Sequence, residues 1–251
     1  MSKIKRLLLS ALTATLVVGC GPSMKTVKTV WYELDAATPS PQSKNDVTIS
    51  VESVSAKNYK NYPELAVRRE SLPESVLLDP NSATRTSIRG SWDAISMADK
   101  NGIIWWIPTG GGITGFHATI KNNTAHILRM GDARIYYIVS GKPIPAIKSA
   151  DYGLNSTNLV YREVSKVAAR QMKFINDVDT EILPGFEYSG YLVFPIDPDN
   201  AIEGELKFFD ITTKVDNTGA PVEKTSYSFR LTRQEETKTY KVGFASVEEV
   251  K

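Results

Sequence analysis

Apolar and polar residues alternate with a period of two over much of the chain, and this pattern constrains the fold more than any other feature. Neighbouring side chains of a strand point to opposite faces, so each run predicts a half-buried strand. Gly, Asn and Pro residues separate the runs, as in antiparallel β-sandwiches. The sequence therefore predicts a mainly β fold; the apolar members of the clearest runs are Val47, Ile49 and Val51; Phe116, Ala118 and Ile120; Ala133, Ile135, Tyr137 and Val139; and Tyr188, Gly190, Leu192 and Phe194.

Two further stretches extend the β pattern. Residues 206–211 and 226–231 flank the turn-rich sequence VDNTGAP, which predicts a hairpin. The short apolar run GIIWWIP, residues 102–108, is typical of a core strand or of a covered edge strand.

One stretch departs from the β rhythm, at about 157–175. Its apolar side recurs at helical spacing and predicts one amphipathic helix, with Ser156 or Thr157 as a cap. The apolar stripe is expected to cover a sheet or an open end of the sandwich, and binding to a partner is the alternative; the residues at this spacing are Val160, Val164, Val167, Ala168, Gln171 and Ile175.

The first residues have the pattern of an export signal. Lys3, Lys5 and Arg6 precede a largely apolar run from Leu7 to Val18. A basic start followed by a short apolar run is typical of a secretory signal peptide. The run has 12 residues, whereas a spanning helix needs about 20, so a permanent transmembrane anchor is not expected.

Val17-Val18-Gly19-Cys20 contains the only cysteine of the 251 residues and resembles a bacterial lipobox. The resemblance implies cleavage before Cys20, a thioether-linked diacylglycerol on its sulfur, and acylation of the new amine, for example with palmitate. Two or three acyl chains hold a protein firmly on a membrane. Gly21 in place of Asp implies the periplasmic face of the outer membrane if the source has two membranes. The alternative is an ordinary signal peptide with an incidental cysteine.

The mature chain has no thiol once Cys20 is lipidated, so its stability must come from packing. Three of the 30 Lys and Arg residues lie in the signal, leaving 27 basic side chains against 28 acidic ones. No basic stripe indicates nucleic acid as a partner. We predict a signal peptide over 1–19, a lipidated tether over 20–45 and a β-sandwich domain over 46–251. A first strand at the apolar residues Val30-Trp31-Tyr32 is the alternative for that part of the tether.

Two stretches resemble bacterial envelope lipoproteins with an immunoglobulin-like sandwich, many of them uncharacterised. They are ATIKNNTAHILRMGDARIYYI, residues 118–138, and ILPGFEYSGYLVFPI, residues 182–196, which is followed by GELKFFDIT. In that group, I-x-N-x-T and L-P-G mark the ends of strands. The resemblance covers about half of the chain and implies a fold, but it carries over no catalytic residue.

The residues that could support catalysis are few. The chain has two histidines, His117 and His126, no G-x-S-x-G elbow and no cysteine nucleophile in its mature form. His117 lies in an alternating run and His126 lies beside a turn, so both are expected to be surface or hydrogen-bonded residues. A hydrolase would need an acid or histidine pair in one pocket, and we expect no enzymatic activity and no cofactor.

One acidic stretch offers ligands to a metal ion. Asp197, Asp199, Asn200 and Glu203 are hard oxygen ligands suited to calcium, although the EF-hand pattern is absent. Asp-Pro and Asp-Asn are also ordinary turn sequences, which favours no metal.

Trp105 and Trp106 are the best candidates for a contact with a ligand or partner. In a strand their rings point to opposite faces, so one faces away from the core unless a helix or loop covers it. Together, the patterns predict a membrane-anchored, non-catalytic adaptor that binds another envelope protein through sheet edges and aromatic patches. A binding module for a glycan or envelope polymer is the alternative.

Overall fold

Strands dominate the part of the chain that this computed structural model describes, which is residues 23–54, 58–68, 95–98, 103–106, 114–152, 166–177, 179–195, 203–242 and 247–250. The predicted mainly β class is confirmed. In chain order the strands are β1 (Ser23–Leu34), β2 (Gln42–Lys44), β3 (Val47–Ser53), β4 (Ala66–Arg68), β5 (Ile95–Ala98), β6 (Ile103–Trp106), β7 (Thr114–Asn122), β8 (Leu128–Arg129), β9 (Arg134–Val139), β10 (Lys142–Pro145), β11 (Glu181–Ile182), β12 (Glu187–Phe194), β13 (Glu203–Val215), β14 (Pro221–Val242) and β15 (Val247–Val250).

The chain divides into two compact units. The larger one is Thr29–Glu235, and the smaller one combines Met1–Lys28 with Glu236–Lys251. In the smaller unit β15 pairs antiparallel with the end of β14, with Thr239 opposite Val250. The hydroxyl oxygens of Thr26 and Thr239 lie 3.4 Å apart there. The fold described below is that of the larger unit.

The first sheet of the larger unit has the order β12-β7-β3-β2. β7 is its centre, because it pairs antiparallel with β12 on one side and with β3 on the other. β2 and β3 form a hairpin whose two turn residues, Asn45 and Asp46, have positive φ angles of 47° and 63°. Both angles are those of the type I′ turn that matches the twist of paired strands.

The second sheet has the order β1-β14-β13-β9-β10. β13 pairs antiparallel with β9 and with β14. The hairpin predicted around VDNTGAP is therefore confirmed. Two smaller sheets, β4-β6-β5 and β11-β8, complete the described strands.

The apolar faces of the two main sheets share one core, as in a β-sandwich. The alternating residues of the first sheet, such as Ile49 and Phe116, pack in the same buried cluster as Tyr137, Leu206 and Phe229 of the second sheet. Aromatic rings meet at the centre, where the Phe116 and Tyr137 ring centroids are 5.5 Å apart. The period-two runs thus build the core as predicted. The immunoglobulin-like assignment stays a prediction.

Three outer strands of the sandwich are protected from strand addition. Pro143 and Pro145 remove backbone donors from β10. The free side of β12 pairs with two other segments, where Ile147 N donates to Val193 O at 2.7 Å and Ile175 N donates to Tyr191 O at 3.1 Å. β2 has only three residues. Of the outer strands of the two main sheets, β1 alone lacks such cover among the described residues.

Gly190 in the middle of β12 explains how residues 173–175 approach this strand so closely. A Cβ atom there would lie 2.6 Å from Lys173 O and 3.2 Å from Ile175 Cγ1. Only glycine leaves room for the backbone at this point. The glycine within this strand pattern therefore marks a close backbone contact.

Two predicted segments differ in the structure. Residues 23–34 and 42–44 of the predicted 20–45 tether form β1 and β2, because they pair with the sheets. The predicted helix is described only over 166–171, where it ends four residues early. It ends because Lys173 O and Ile175 N bond to the backbone of β12 instead. Residues 157–165 lie outside the described residues.

Candidate functional site

The residues singled out from the sequence are only partly described. Cys20, Asp197, Asp199 and Asn200 lie outside the described residues, while Glu203 is the exposed first residue of β13. Lipidation at Cys20 and calcium at the acidic stretch therefore stay predictions.

Trp105 and Trp106 belong to β6 by their backbone. Trp105 is opposite Ala66 of β4, and Trp106 is opposite Ile95 of β5. Their proposed contact role stays a prediction.

The described residues contain neither a metal-binding cluster nor a helix that could span a membrane. No group of three or more His, Cys, Asp or Glu side chains among them is arranged to hold a metal ion. In the same part of the chain, no helix has the length and apolar character needed to cross a membrane.

A row of three functional side chains crosses the outer face of the first sheet. Glu52, His117 and Tyr191 are direct neighbours on β3, β7 and β12. They lie on the face opposite the core, because Val51, Phe116 and Leu192 point inward. The structure thus places His117 beside a carboxylate and a phenol.

The following segment, residues 58–68, folds over this row. It contains 3-10 turns at Tyr59–Asn61 and Pro63–Leu65 and then becomes β4. Tyr62, Leu65 and Val67 of this segment are buried. We call Glu52, Tyr62, Glu64, His117 and Tyr191 the His117 cluster.

Two tyrosine–glutamate hydrogen bonds cross between the segment and the sheet. Tyr62 of the segment donates its hydroxyl to Glu52 Oε2 at 2.6 Å. Tyr191 of the sheet donates to Glu64 Oε1 of the segment at 2.5 Å. Asn58 Nδ2 adds bonds to Glu52 Oε1 at 3.1 Å and to Ser53 O at 2.8 Å. Each side of the contact therefore gives one tyrosine donor and one carboxylate acceptor.

His117 packs against both tyrosines, whose own ring centroids are 6.0 Å apart. Its ring centroid is 5.0 Å from that of Tyr62 and 5.2 Å from that of Tyr191. Partial burial lowers the pKa of the imidazole from its ordinary value, and the charges of Glu64 and Glu52 act in the opposite direction. The site therefore favours a neutral ring at neutral pH.

The tyrosines of the cluster are hydrogen-bond donors. Burial, followed by the bond to Glu52, raises the pKa of the Tyr62 hydroxyl. Burial and the bond to Glu64 likewise raise the pKa of the Tyr191 hydroxyl. Both hydroxyls stay protonated at neutral pH, which suits fastening rather than nucleophilic chemistry.

A second polar centre lies at the end of the same strand, β7. The Asn122 side chain is fully buried, and its Nδ2 donates to His126 O at 2.7 Å and to Ile182 O at 2.8 Å. Its Oδ1 accepts from Thr124 N at 2.9 Å and from Thr124 Oγ1. One amide thus joins two loops, residues 122–128 and 182–187, which we call the Asn122 platform.

The Asn122 backbone fixes the second loop as well. Its N–H donates to Phe186 O at 2.9 Å, and its carbonyl accepts from Gly185 N at 2.7 Å. Phe186 N closes a turn onto Leu183 O at 3.1 Å, and Gly185 has a φ of 80°. Pro184 before such a glycine makes a type II turn. The N-x-T and L-P-G motifs therefore meet at this point, each at a strand end.

The platform displays large apolar side chains. Phe186 is 64% exposed, Leu183 50% and Ile127 39%. Leu128 is opposite Ile182 in the β8–β11 pair, so continuing this register by one residue places Ile127 beside Leu183 on the outward face. These three and Val222 are the exposed large apolar side chains among the described residues of the larger unit.

Val222 belongs to the same end of the sandwich. Asn123 N of the platform donates to Asp46 O at 2.8 Å. The adjacent Asn45 Nδ2 donates to Glu223 Oε1 at 2.6 Å. The platform, the β2–β3 turn and the β13–β14 hairpin therefore form one continuous end.

Sequence reasoning found the motifs of both sites but missed their grouping. His117 was expected to be a surface or hydrogen-bonded residue, and only the strand register brings it beside Glu52 and Tyr191. A signal for the platform was present in the sequence: Leu183 and Phe186 flank a Pro-Gly turn, where large apolar residues are unusual.

No family model matches the chain, and neither a curated protein nor a solved structure matches it significantly.

Proposed function

We propose that this chain is a lipid-anchored, non-catalytic adaptor of the bacterial envelope, which binds another envelope protein through the Asn122 platform. The observation that carries the proposal is the display of Ile127, Leu183 and Phe186 on rigid loops. The lipobox pattern at Cys20 supports the anchor.

Rigidity favours the platform as a binding surface. The backbone of Leu183 and Phe186 is held by a closed turn, and the turn is held by Asn122. A loop backbone that is already ordered loses less entropy on binding. Apolar and aromatic anchors of this kind contribute most of the affinity of many interfaces.

Charge indicates the chemistry of the partner surface. Arg129 and Glu181 form an ion pair of 3.2 Å beside the apolar side chains. On the other side, Lys121 is directly opposite Glu187. Because both flanks are neutral in sum, the partner surface should be an uncharged apolar pocket, and binding should depend little on salt.

The protected sheet edges lead to the same surface. Strand addition to β10, β12 or β2 would meet prolines, an occupied edge or a very short strand. Binding through the loop end is therefore favoured over edge binding at these three strands, and β1 is the one outer strand of the two main sheets whose described residues leave the predicted edge binding open.

Fractionation of Cys20→Ser tests the anchor. We expect an uncleaved or soluble precursor in place of a membrane-bound protein, because the sulfur that carries the lipid is absent. Normal membrane retention of this variant would contradict the lipobox interpretation.

Photo-cross-linking in cells tests the platform. A benzophenone amino acid is placed at Phe186 and, as a matched control, at Thr218, an exposed loop residue at the same end. We expect one protein adduct from position 186 that is absent from position 218 and weakened by Leu183→Ser. Equal adducts at both positions, or cross-linking to envelope polymer, would reject a protein partner at this surface.

A further inference from the structure

The His117 cluster has a property that the adaptor function does not use. It fastens residues 58–68 to the sheet through two Tyr–Glu bonds, and it places a titratable ring against the two tyrosines. Histidine is the side chain whose charge ordinarily changes between pH 5 and 8.

We propose that His117 is an acid-sensitive switch whose protonation favours release of residues 58–68 from the outer face of the first sheet. With the segment in place, the half-buried ring lies against two phenol rings, and no described residue forms a hydrogen bond to its nitrogens. With the segment released, both nitrogens reach water. The charged form therefore prefers the released state.

The groups around the ring set the direction of the effect. Glu52 faces it from β3, Tyr191 from β12, and Tyr62 and Glu64 from the segment. The carboxylates favour the cation, but burial outweighs them and the pKa of His117 is lowered. A group with a lowered pKa in the closed state takes up a proton on opening, so closure is favoured above about pH 6.5 and weakened as the pH falls below it.

Release would extend beyond the cluster. The segment runs directly into β4, whose Ala66 and Val67 pair with Trp105 and Ile104 of β6. Release of the segment would therefore weaken the attachment of the β4-β6-β5 sheet. Among the described residues, β6, which carries Trp105 and Trp106, is therefore the element through which acid would affect the rest of the protein.

The Asn122 platform provides an internal reference for the test. Its central group is an amide, which does not titrate, and its bonds go mostly to backbone atoms. Acid should leave the protection of the platform loop 182–187, which contains no histidine, unchanged while that of residues 58–68 falls.

The experiment is hydrogen exchange by mass spectrometry on the mature chain at pH 7.5 and pH 5.0, expressed as protection factors. We expect the protection of residues 58–68 to fall by roughly threefold or more relative to residues 182–187. His117→Phe keeps an aromatic ring against the two tyrosines and should abolish this pH dependence. His126→Gln, the matched control at the other histidine, should preserve it.

Two results would overturn the proposal. Unchanged protection of residues 58–68 at pH 5.0 would show that His117 does not control the segment. The same acid loss in His117→Phe would assign the effect to Glu52 or Glu64. If His117→Phe does not fold, His117→Gln replaces it, and an imidazole titration by NMR of the wild-type chain, with only two histidines, reads the protonation directly.

Discussion

Two regions of one sheet use buried polar groups for opposite purposes. His117 and Asn122 are five residues apart on β7. At the His117 cluster, long polar side chains bond to each other and attach a covering segment. At the Asn122 platform, one amide bonds mainly to backbone atoms and leaves apolar side chains exposed. The comparison shows that a polar centre can either close a surface or display one.

The nature of the bonded groups explains the difference. Asn122 holds loops by their carbonyls, which neither titrate nor rotate, so the loop conformation is defined to its tip. The His117 cluster joins side chains from three strands and the covering segment, and the histidine among them, whose pKa is lowered by burial, gains its charge only in acid. The platform should therefore be rigid under all ordinary conditions, whereas the cluster should respond to acid.

Asn122→Ala should have the largest effect on stability. It leaves the Ile182 carbonyl without its Nδ2 donor, leaves Thr124 Oγ1 as the remaining side-chain donor to His126 O, and removes the acceptor of Thr124 N. We expect a loss of about 3 kcal/mol in the free energy of unfolding, measured by urea denaturation. Asn123→Ala is the control, because that exposed side chain should contribute within about 0.5 kcal/mol. Equal effects of the two substitutions would show that the Asn122 side chain does not hold the platform loops together.

Tyr191→Phe should have a smaller effect. It removes the donor to the half-buried Glu64 carboxylate, at a cost of about 1.5 kcal/mol. Tyr136→Phe is the matched control, because Tyr136 is half-buried on β9 and packs on Phe209.

Combining Tyr191→Phe with Glu64→Gln sharpens this prediction. The two groups bond to each other, so the losses should be non-additive by about 1 kcal/mol in a double-mutant cycle. Full additivity would mean that the bond does not fasten the segment.

The sequence predicted one of these regions better than the other. Strand ends at N-x-T and L-P-G were visible because turns depend on local backbone chemistry. The exposure of Leu183 and Phe186 was not predicted, and only the structure supplied the role of Asn122. The His117 cluster was not predictable, because it depends on the register of three strands and on a segment that begins 59 residues before His117 in the chain.

The same distinction explains the errors at the fold level. Alternation predicted the core faces of β3, β7, β9 and β12, since half-burial produces the pattern directly. It gave a first strand at Val30-Trp31-Tyr32 only as an alternative to the tether and missed β2, a strand of three polar residues. The helix ended early because Gly190 lets residues 173–175 bond along β12, a contact that no local pattern encodes.

Phe186→Ser should have the smallest effect on stability, and this makes it the sharpest test of a displayed surface. The ring is 64% exposed, while the turn beneath it is held by backbone bonds that serine leaves intact. We expect the free energy of unfolding to change by less than about 0.5 kcal/mol. A loss above 1 kcal/mol would mean that the ring packs within the chain. If a benzophenone amino acid is placed at Leu183 instead, a Phe186→Ser variant that keeps its stability but loses the adduct would separate binding from folding, since only a residue that serves a partner has this combination.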